Sequence, residues 1–374
     1  MSRLPYKGEI QTTAYYWKQW SHLRHCWQML FEQSHASFFL SCEWVETWLE
    51  IFGEQLEPEV LVFARDGDPV GACLLVHRNS WRKCVPIRRI YLNCAGEDNA
   101  DGTCIEYNRL MCLPGHGTDV AGALWRYLLK DTWDEFVLPG MEAQDRTQRF
   151  PDGAFRAVVS QRPSWYIDLD VLRRNGLRYE NTLSPNVRQQ IRRSIRRYEE
   201  ISGPISLQSP VDGAGAFRFL DELAKLHQKS WSGRGKLGVF ASEQFRRFHE
   251  RLIERVFPKD RAHVLRVIAG DQVVGLLYSF LYAGRVYFYQ SGFAYQEDNR
   301  IKPGLVAHFL AINHYLANRP DVLEYDFLAG DSQYKRSLAK SQRTIIWTLV
   351  QRPTARVRTV EFLRWVRNRY ARTD

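Results

Sequence analysis

The same hairpin pattern occurs twice in this chain, roughly 200 residues apart. The first copy, PEVLVFARDGDPVGACLLVHR, covers residues 58–78, and the second, AHVLRVIAGDQVVGLLYSFL, covers residues 262–281. Each copy has an apolar strand, a turn containing Gly and Asp, and a second apolar strand, and Gly71 and Gly275 occupy matching places. A repeat of this kind predicts two copies of one α/β unit. The alternative is a chance match between two hairpins.

The length of 374 residues also predicts two domains, because it exceeds what one compact core usually holds. A strand at residues 164–169 precedes a turn, after which Ser184 is expected to cap a helix and Pro185 to begin it. We therefore predict an N-terminal degenerate lobe at residues 1–175, a C-terminal lobe at 176–352 and a basic amphipathic helix at 353–374.

Hydrophobic periodicity predicts alternating helices and strands, and hence an α/β (α+β) fold with a mixed sheet. In the N-terminal half we expect a helix at residues 15–35 and another that begins after Ser41 and ends at Gly53. In the C-terminal half we expect helices at 214–230, 242–256, from Gly304, and at 332–340, with strands at 285–293, 322–328 and 344–350. The basic helix over residues 355–371 is expected to pack on its own domain, with a membrane or a partner as the alternative.

Composition restricts the partners and the compartment. The net charge of +10 suits a partner with phosphates, such as a phosphorylated cofactor, tRNA or an anionic membrane face. All seven cysteines precede residue 113 and form no C-x-x-C pair, so neither a disulfide framework nor a zinc site is indicated. The H-x-x-H-C run of His22, His25 and Cys26 has nothing nearby to complete a metal site. Because the longest apolar run, residues 273–283, is too short to span a bilayer, we expect a cytoplasmic protein with no transmembrane segment.

The order of elements in the C-terminal half resembles the GNAT acyltransferase superfamily. More narrowly, residues 180–350 look like a BioF2-like or CelD-type acetyltransferase domain, a family similar to the Fem-type peptidoglycan aminoacyl transferases with their two GNAT-like lobes. Four stretches carry the resemblance, at residues 184–200, 273–293, 301–317 and 324–339. The N-terminal half matches only through its hairpin and residues 38–53. The resemblance implies two tandem GNAT-like lobes, of which the C-terminal one is the better match.

The run around Gly304 corresponds to the loop that holds the pyrophosphate of acyl-CoA in the superfamily. Backbone N–H groups at a helix N-terminus attract an anion, and a glycine allows close backbone approach. The resemblance therefore implies that Lys302 and Gly304 bind the donor. The usual pattern, Gln/Arg-x-x-Gly-x-Gly/Ala, is degenerate here, because Ile301 and Val306 replace its first polar position and its second glycine. A capped core helix is the alternative interpretation.

Gln290 and Ser291 end a strand that we expect to splay from the strand at residues 325–328. The resemblance places the thioester arm of the donor, or an aminoacyl ester, in that gap. A free backbone N–H there is suited to bond a developing oxyanion. The alternative is a bulge at the edge of the sheet.

Asp326, Gly330, Tyr334 and Lys335 match a D/N-φ-x-x-G-x-x-x-Y-K-like pattern of related domains, in which φ is apolar. The resemblance implies that Lys335 stabilises an oxyanion or a substrate phosphate and that Tyr334 gives a proton to the leaving group. Asp326 would take the proton of the acceptor ammonium, with Asp331 as the substitute base. The structural alternative is a helix start with a surface salt bridge.

Two further groups are candidates for substrate binding. Trp231, Arg234 and Lys236 lie on a Gly-rich loop, which is either a lid over the acceptor or a plain connector. A run of arginines at helical spacing suits a tRNA or sugar-nucleotide phosphate, or else forms a solvated helix face on which Arg196 reaches Glu200. Its members are Arg188, Arg192, Arg193, Arg196 and Arg197. In the N-terminal lobe, Asp98, Asp101 and His116 sit in Gly-rich loops without forming a constellation.

These residues lead to one function and two alternatives. The first is an N-acyltransferase that moves an acetyl or other acyl group from acyl-CoA to an amine, in polysaccharide or envelope metabolism, without a metal. The acceptor is a small-molecule, glycan or peptide amine, and DNA is not an expected partner. The second is a Fem-type transferase that uses aminoacyl-tRNA. The third is a non-catalytic GNAT-like scaffold in exopolysaccharide assembly.

Overall fold

A computed structural model describes residues 8–96, 103, 105–143 and 155–370 of the chain. Asp98 and Asp101 lie outside the described residues. The chain divides into two compact units, of which the first comprises residues 1–161 and 345–374, and the second comprises residues 162–344.

Strands and helices alternate through both units. The strands are β1 (Gln11–Tyr16), β2 (Glu59–Arg65), β3 (Asp68–Arg82), β4 (Val85–Leu92), β5 (Met111–Cys112), β6 (Glu135–Glu142), β7 (Arg156–Asp168), β8 (Ile205–Gln208), β9 (Ala262–Ala269), β10 (Gln272–Tyr282), β11 (Arg285–Phe293), β12 (Glu324–Ala329) and β13 (Ser341–Gln351). The helices are α1 (Trp20–Gln33), α2 (Cys42–Leu56), α3 (Gly117–Leu129), α4 (Leu169–Arg174), α5 (Tyr179–Thr182), α6 (Pro185–Ser202), α7 (Gly213–Ser232), α8 (Glu243–Val256), α9 (Pro303–Asn318), α10 (Gln333–Leu338) and α11 (Ala355–Tyr370).

The two units share one sheet topology. In the first unit the strand order is β1-β2-β3-β4-β6-β13, and all neighbours are antiparallel except β4 and β6. In the second unit the order is β8-β9-β10-β11-β12-β7, and all neighbours are antiparallel except β11 and β12. Each parallel pair is joined by a crossover that contains a helix, α3 in the first unit and α9 in the second. The predicted mixed α/β fold and the repeated unit are therefore confirmed.

The sixth strand of each sheet comes from an unexpected part of the sequence. Residues 345–351 of β13 complete the sheet of the first unit by pairing with β6. Residues 164–168 of β7 pair with β12 in the second unit. For this reason the compact units divide the chain differently from the predicted domains at 1–175, 176–352 and 353–374.

Capping signals in the sequence set the starts of several helices. Ser184 accepts a hydrogen bond from the Val187 N–H at 3.3 Å, and Pro185 is the first residue of α6, as predicted. Ser41 caps α2 in the same way, but the predicted end at Gly53 is wrong. The helix continues to Leu56 because the left-handed residue that ends it is Glu57, with φ of 44°.

The predicted helix at residues 15–35 begins too early. Residues 11–16 form β1, which pairs with β2 along its full length, and α1 begins only at Trp20. The aromatic residues Tyr15 and Tyr16 fit a strand as well as a helix, and pairing with the edge of β2 selects the strand.

The hairpin turns of the two units offer a matched test of backbone strain. Gly270 has φ of +53°, and a Cβ there would lie 1.9 Å from the Ser202 carbonyl oxygen. Gly67, in the corresponding turn of the first unit, has φ of +92° and open space around it. In both alanine variants the left-handed conformation lowers the free energy of unfolding by about 1 kcal/mol. We expect Gly270→Ala to lose about 1–3 kcal/mol more, because its Cβ overpacks the turn.

Chemical unfolding of the two glycine variants measures that difference. Equal losses for Gly270→Ala and Gly67→Ala would contradict the close approach of residue 270 to the Ser202 carbonyl.

Within the described residues, no helix is long and apolar enough to cross a membrane.

Candidate functional site

A cavity of about 530 Å³ lies in the second unit, where the end of β11, the start of α9 and the loop after α7 meet. It brings together most of the predicted donor-binding and acceptor-binding residues. Those that line it are Trp231, Arg234, Gln290, Ser291, Lys302, Gly304 and Tyr334. These residues lie up to about a hundred positions apart in the chain, and the fold gathers them at one opening.

The start of α9 faces this cavity without a side-chain cap. Lys302 is the N-cap residue and makes no capping hydrogen bond with its side chain. Pro303 follows it, so the first free N–H groups of the helix belong to Gly304 and Leu305, which have no intrahelical acceptor. The positive end of the helix dipole and the Lys302 ammonium therefore both favour an anion here.

The gap beside this helix start arises because β11 and β12 diverge. They pair only from Arg285 to Tyr287, whereas β11 continues to Phe293. On its other side β11 carries a bulge at Tyr289, where its register with β10 shifts between Tyr278 and Ser279. The expected splay is present, and so is the bulge that was the alternative interpretation, and together they leave the edge of β11 near Gln290 without strand partners from β12.

The divergence is fixed by a sharp turn at the end of β12. Leu328 has φ of 59°, a left-handed conformation that a leucine rarely adopts. The Asp326 carboxylate accepts a hydrogen bond from the Leu328 N–H at 2.7 Å. The Lys335 ammonium donates to the carbonyls of Leu328 and Ala329, each at 2.9 Å. Two charged side chains thus hold the turn from inside the unit.

Asp326 and Lys335 are therefore not among the cavity-lining residues. Asp326 is fully buried and also accepts hydrogen bonds from Ser164 at 2.7 Å and Arg343 at 3.0 Å. Lys335 is 8% exposed. Asp331, named above as the substitute base, instead pairs with Arg336 at 3.2 Å on the surface.

Tyr334 is the member of the predicted catalytic set that reaches the cavity. Its ring stacks on that of His308, with centroids 5.7 Å apart and planes 18° from parallel. Burial raises the pKa of the Tyr334 phenol above its ordinary value of 10, so it carries its proton at neutral pH. It is therefore suited to donate a proton or a hydrogen bond to a ligand in the cavity.

His227 also lines the cavity, and its role escaped the sequence analysis. It is 7% exposed, and its Nδ1 atom has no hydrogen-bond partner in the described part of the chain. Burial lowers the pKa of His227 to about 4, so the ring is neutral at pH 7. His227 has the helical spacing of a core residue, and its one distinguishing signal is the neighbouring Trp231 one turn later on α7.

Three buried neutral histidines should make the second unit acid-labile. Burial lowers the pKa of His249 and of His308 to about 3, with the Lys335 charge adding to the effect at His308. His227 titrates at about 4. Because these pKa values are depressed from 6.5, the unfolded chain binds more protons below pH 6.5, and stability falls as the pH drops from there towards 4.

We expect each such histidine to contribute up to about 1.4 kcal/mol of lost stability per pH unit in this window. Unfolding free energies measured between pH 7 and pH 4.5 test this expectation. His249→Phe removes a histidine outside the cavity lining. The slope of the unfolding free energy against pH should therefore decrease by the contribution of one bound proton. An unchanged slope would show that His249 is charged in the folded state.

The basic run on α6 lies at a different surface of the second unit. A groove of about 620 Å³ is lined by Pro185, Arg188, Gln189, Arg192, Arg193 and Arg196. Arg188 and Arg192 are thus not brought to the cavity, and Arg192 pairs with Glu180 at 2.8 Å. The expected contact of Arg196 with Glu200 is wrong, because Arg197 makes that pair at 3.1 Å.

The corresponding helix start in the first unit carries an acidic side chain. Asp119 lies in the first turn of α3, and its carboxylate accepts a hydrogen bond from Arg65 at 2.6 Å. His116, the N-cap residue, lies 3.5 Å from the same guanidinium. An acidic residue in the first turn therefore offsets the positive end of α3, whereas the first turn of α9 contains no acidic residue.

The comparisons with known proteins agree with this fold. Residues 185–336 match the family model described as an acetyltransferase (GNAT) domain. The predicted resemblance to the GNAT superfamily is thereby confirmed. No protein with a curated description matches the chain in sequence.

Several solved structures share the fold at low sequence identity. FemX is 10% identical with a TM-score of 0.56, and the match covers 86% of this chain and 95% of FemX. L-PGS from Bacillus licheniformis is 11% identical with a TM-score of 0.51, over 91% of this chain and 95% of that one. A conserved protein of unknown function from Bacteroides thetaiotaomicron VPI-5482 is 11% identical with a TM-score of 0.52, over 88% and 97%. The chain thus has a Fem-like fold of two GNAT-like lobes.

Proposed function

We propose that this protein is an N-acyltransferase that moves an acyl group from acetyl-CoA or another acyl-CoA to an amine. The observation that carries the proposal is the open start of α9, which faces the cavity together with Lys302 and Tyr334. Anion binding at the helix start and proton donation from Tyr334 then occur within one cavity.

The residues at the start of α9 fit the pyrophosphate of an acyl-CoA donor. The N–H groups of Gly304 and Leu305 are available as donors, and Lys302 supplies a positive charge. Gly304 has no Cβ to hold a phosphate away from the helix axis. The bound donor supplies the acyl group as a thioester, which carries a good leaving group.

The reaction forms one C–N bond and breaks one C–S bond. The amine nitrogen attacks the acyl carbon, and the edge of β11 near Gln290 and Ser291 offers backbone N–H groups for the carbonyl oxygen. Tyr334 gives a proton to the departing sulfur, which leaves as a thiol. The neutral His227 accepts a hydrogen bond from the attacking amine, which loses one proton to solvent, and the Tyr334 phenolate regains a proton from solvent. Asp326 and Lys335 act as positioning residues by holding the turn at Leu328.

The acceptor is an amine of a small molecule, a glycan or a peptide. Trp231 and Arg234 form the outer wall of the cavity and are the residues that we assign to acceptor binding. The resemblance to BioF2-like and CelD-type domains supports an acceptor in polysaccharide or envelope metabolism, and the reaction would then take place in the cytoplasm.

The groove on α6 favours an aminoacyl-tRNA-dependent transferase as the second candidate. Arg188, Arg192, Arg193 and Arg196 line it together, and a cluster of arginines is the usual means of holding a nucleic-acid backbone. Such binding weakens steeply as the salt concentration rises. The third candidate, a non-catalytic scaffold, requires that neither donor binds.

Calorimetric titration of the purified protein with acetyl-CoA and with free coenzyme A tests the proposal. We expect micromolar binding of both ligands, and acyl transfer to amines that falls by about a hundredfold or more in Tyr334→Phe. Absence of binding for both ligands would overturn the acyl-CoA proposal. Titration with aminoacyl-tRNA then separates the second candidate from a scaffold, for which a Lys335→Ala variant would keep its cellular role.

A further inference from the structure

Helix α11, in the first unit, exposes two aromatic side chains next to each other. Phe362 is 60% exposed and Trp365 is 55% exposed, and their rings stack with centroids 6.1 Å apart. On the opposite face, Val357 and Val360 are 4% and 3% exposed, where the helix packs against β4. The valine face of this helix therefore packs on its own unit, as expected, while the aromatic face is directed outward.

Positive charge surrounds the exposed aromatic pair. The sequence of α11 contains five arginines and one acidic residue, Glu361, which pairs with Arg156. Helical spacing puts Arg358 and Arg369 on the same face as Phe362. The Arg369 guanidinium lies over the Trp365 ring at 5.3 Å. The exposed arginines of the helix are Arg358, Arg364, Arg367 and Arg369.

The aromatic face of α11 thus combines two exposed rings with positive charge. Arg358 and Arg369 share that face with Phe362, whereas Arg364 lies four residues after Val360 and therefore on the valine face. A bound anion would stabilise the two arginines beside the rings.

The aromatic pair favours a lipid surface over a nucleic acid as the source of that anion. A nucleic acid would stack its bases on open aromatic faces. Here Phe362 stacks on Trp365, and Arg369 lies over the same indole. Aromatic side chains with flanking arginines are typical of helices that lie in the interface of an anionic bilayer, where the rings enter the headgroup layer and the guanidinium groups reach phosphates.

We propose that the aromatic face of α11 forms a peripheral docking surface for an anionic lipid bilayer. The helix lies along the bilayer surface, inserts Phe362 and Trp365, and places Arg358 and Arg369 against lipid phosphates. Val357 and Val360 keep it attached to the first unit meanwhile. This surface belongs to the first unit, so it operates independently of the transferase proposed for the second.

Co-sedimentation of the full chain with vesicles tests the proposal. We expect binding to vesicles of phosphatidylcholine with phosphatidylglycerol, and little binding to phosphatidylcholine alone. Replacing both Phe362 and Trp365 with serine should weaken binding to the anionic vesicles about tenfold or more, because two aromatic side chains no longer insert. Replacing both Arg358 and Arg369 with glutamine should weaken it to a similar extent and reduce its dependence on salt.

The arginines of α6 supply the matched control. A variant with Arg188, Arg193 and Arg196 changed to glutamine removes three positive charges from the second unit and should bind anionic vesicles as the wild type does. Loss of binding in that variant, or unchanged binding in the aromatic variant, would overturn the proposal. Failure of the wild type to bind anionic vesicles would also overturn it. So would a DNA oligonucleotide that competes with the vesicles for the wild type but not for the aromatic variant, because this result would indicate a nucleic-acid surface. Circular dichroism and unfolding midpoints verify that each variant is folded.

Discussion

Replacing Gly304 with tryptophan is expected to weaken the binding of coenzyme A by at least about a hundredfold, beyond the range of an ordinary titration. A Cβ at residue 304 would lie 3.3 Å from the Phe293 ring, so even a small side chain touches the wall of the cavity. An indole there would fill the space in front of the α9 N–H groups. The effect is steric exclusion at the place where the donor phosphates are proposed to bind.

A matched glycine serves as the control for this experiment. Gly213 is the first residue of α7, and nothing lies within 4 Å of a Cβ placed there. Gly213→Trp should therefore leave coenzyme A binding unchanged, while calorimetry of Gly304→Trp shows no heat of binding. Retained micromolar binding in Gly304→Trp would move the donor site away from α9 and contradict the proposed function.

The second large effect concerns stability and follows from removing Arg343. Its guanidinium bonds to Asp326 at 3.0 Å and to Glu324 at 2.7 Å, and it lies over the Tyr166 ring at 4.1 Å. Asp326 is fully buried. Arg343→Ala would leave that carboxylate in the interior without its cation, and removal of one partner of a buried pair typically costs about 3–5 kcal/mol.

Chemical unfolding of Arg343→Ala measures this loss. An exposed pair provides the comparison, because Arg251 bonds to Glu254 at 2.8 Å with both side chains about half exposed. Arg251→Ala should change the unfolding free energy by less than about 1 kcal/mol. A loss of only that size for Arg343→Ala would mean that water or another cation compensates Asp326 in the folded unit.

Local patterns in the sequence sufficed to predict the repeated hairpins and the start of α9. The Gly-Asp turns and the Lys302-Pro303-Gly304 run each act over a few residues, and such signals do not depend on the rest of the fold. The cavity lining could be predicted in part because the resemblance to the GNAT superfamily assigned both the end of β11 and the start of α9 to donor binding.

Other features depend on contacts between distant residues and escaped prediction. Tyr334 and Lys335 are adjacent in α10, so their side chains point about 100° apart, and only one of them lines the cavity. The motif led us to predict both residues as catalytic, because spacing alone does not reveal which of the two side chains faces the solvent. Likewise, Asp326 bonds to Arg343 and Ser164, which belong to the distant strands β13 and β7. No local pattern in the sequence predicts these contacts.

The topology also has a consequence for the order in which the protein folds on the ribosome. Residues 162–344 are continuous, so all of the second unit leaves the ribosome before residues 345–351 do. The first unit, although made earlier, lacks the strand that pairs with β6 until residues 345–351 emerge. During that interval the β6 edge of the nascent chain offers unpaired backbone groups to any neighbouring strand. Truncation before residue 345 would consequently damage the first unit and leave the second unit whole.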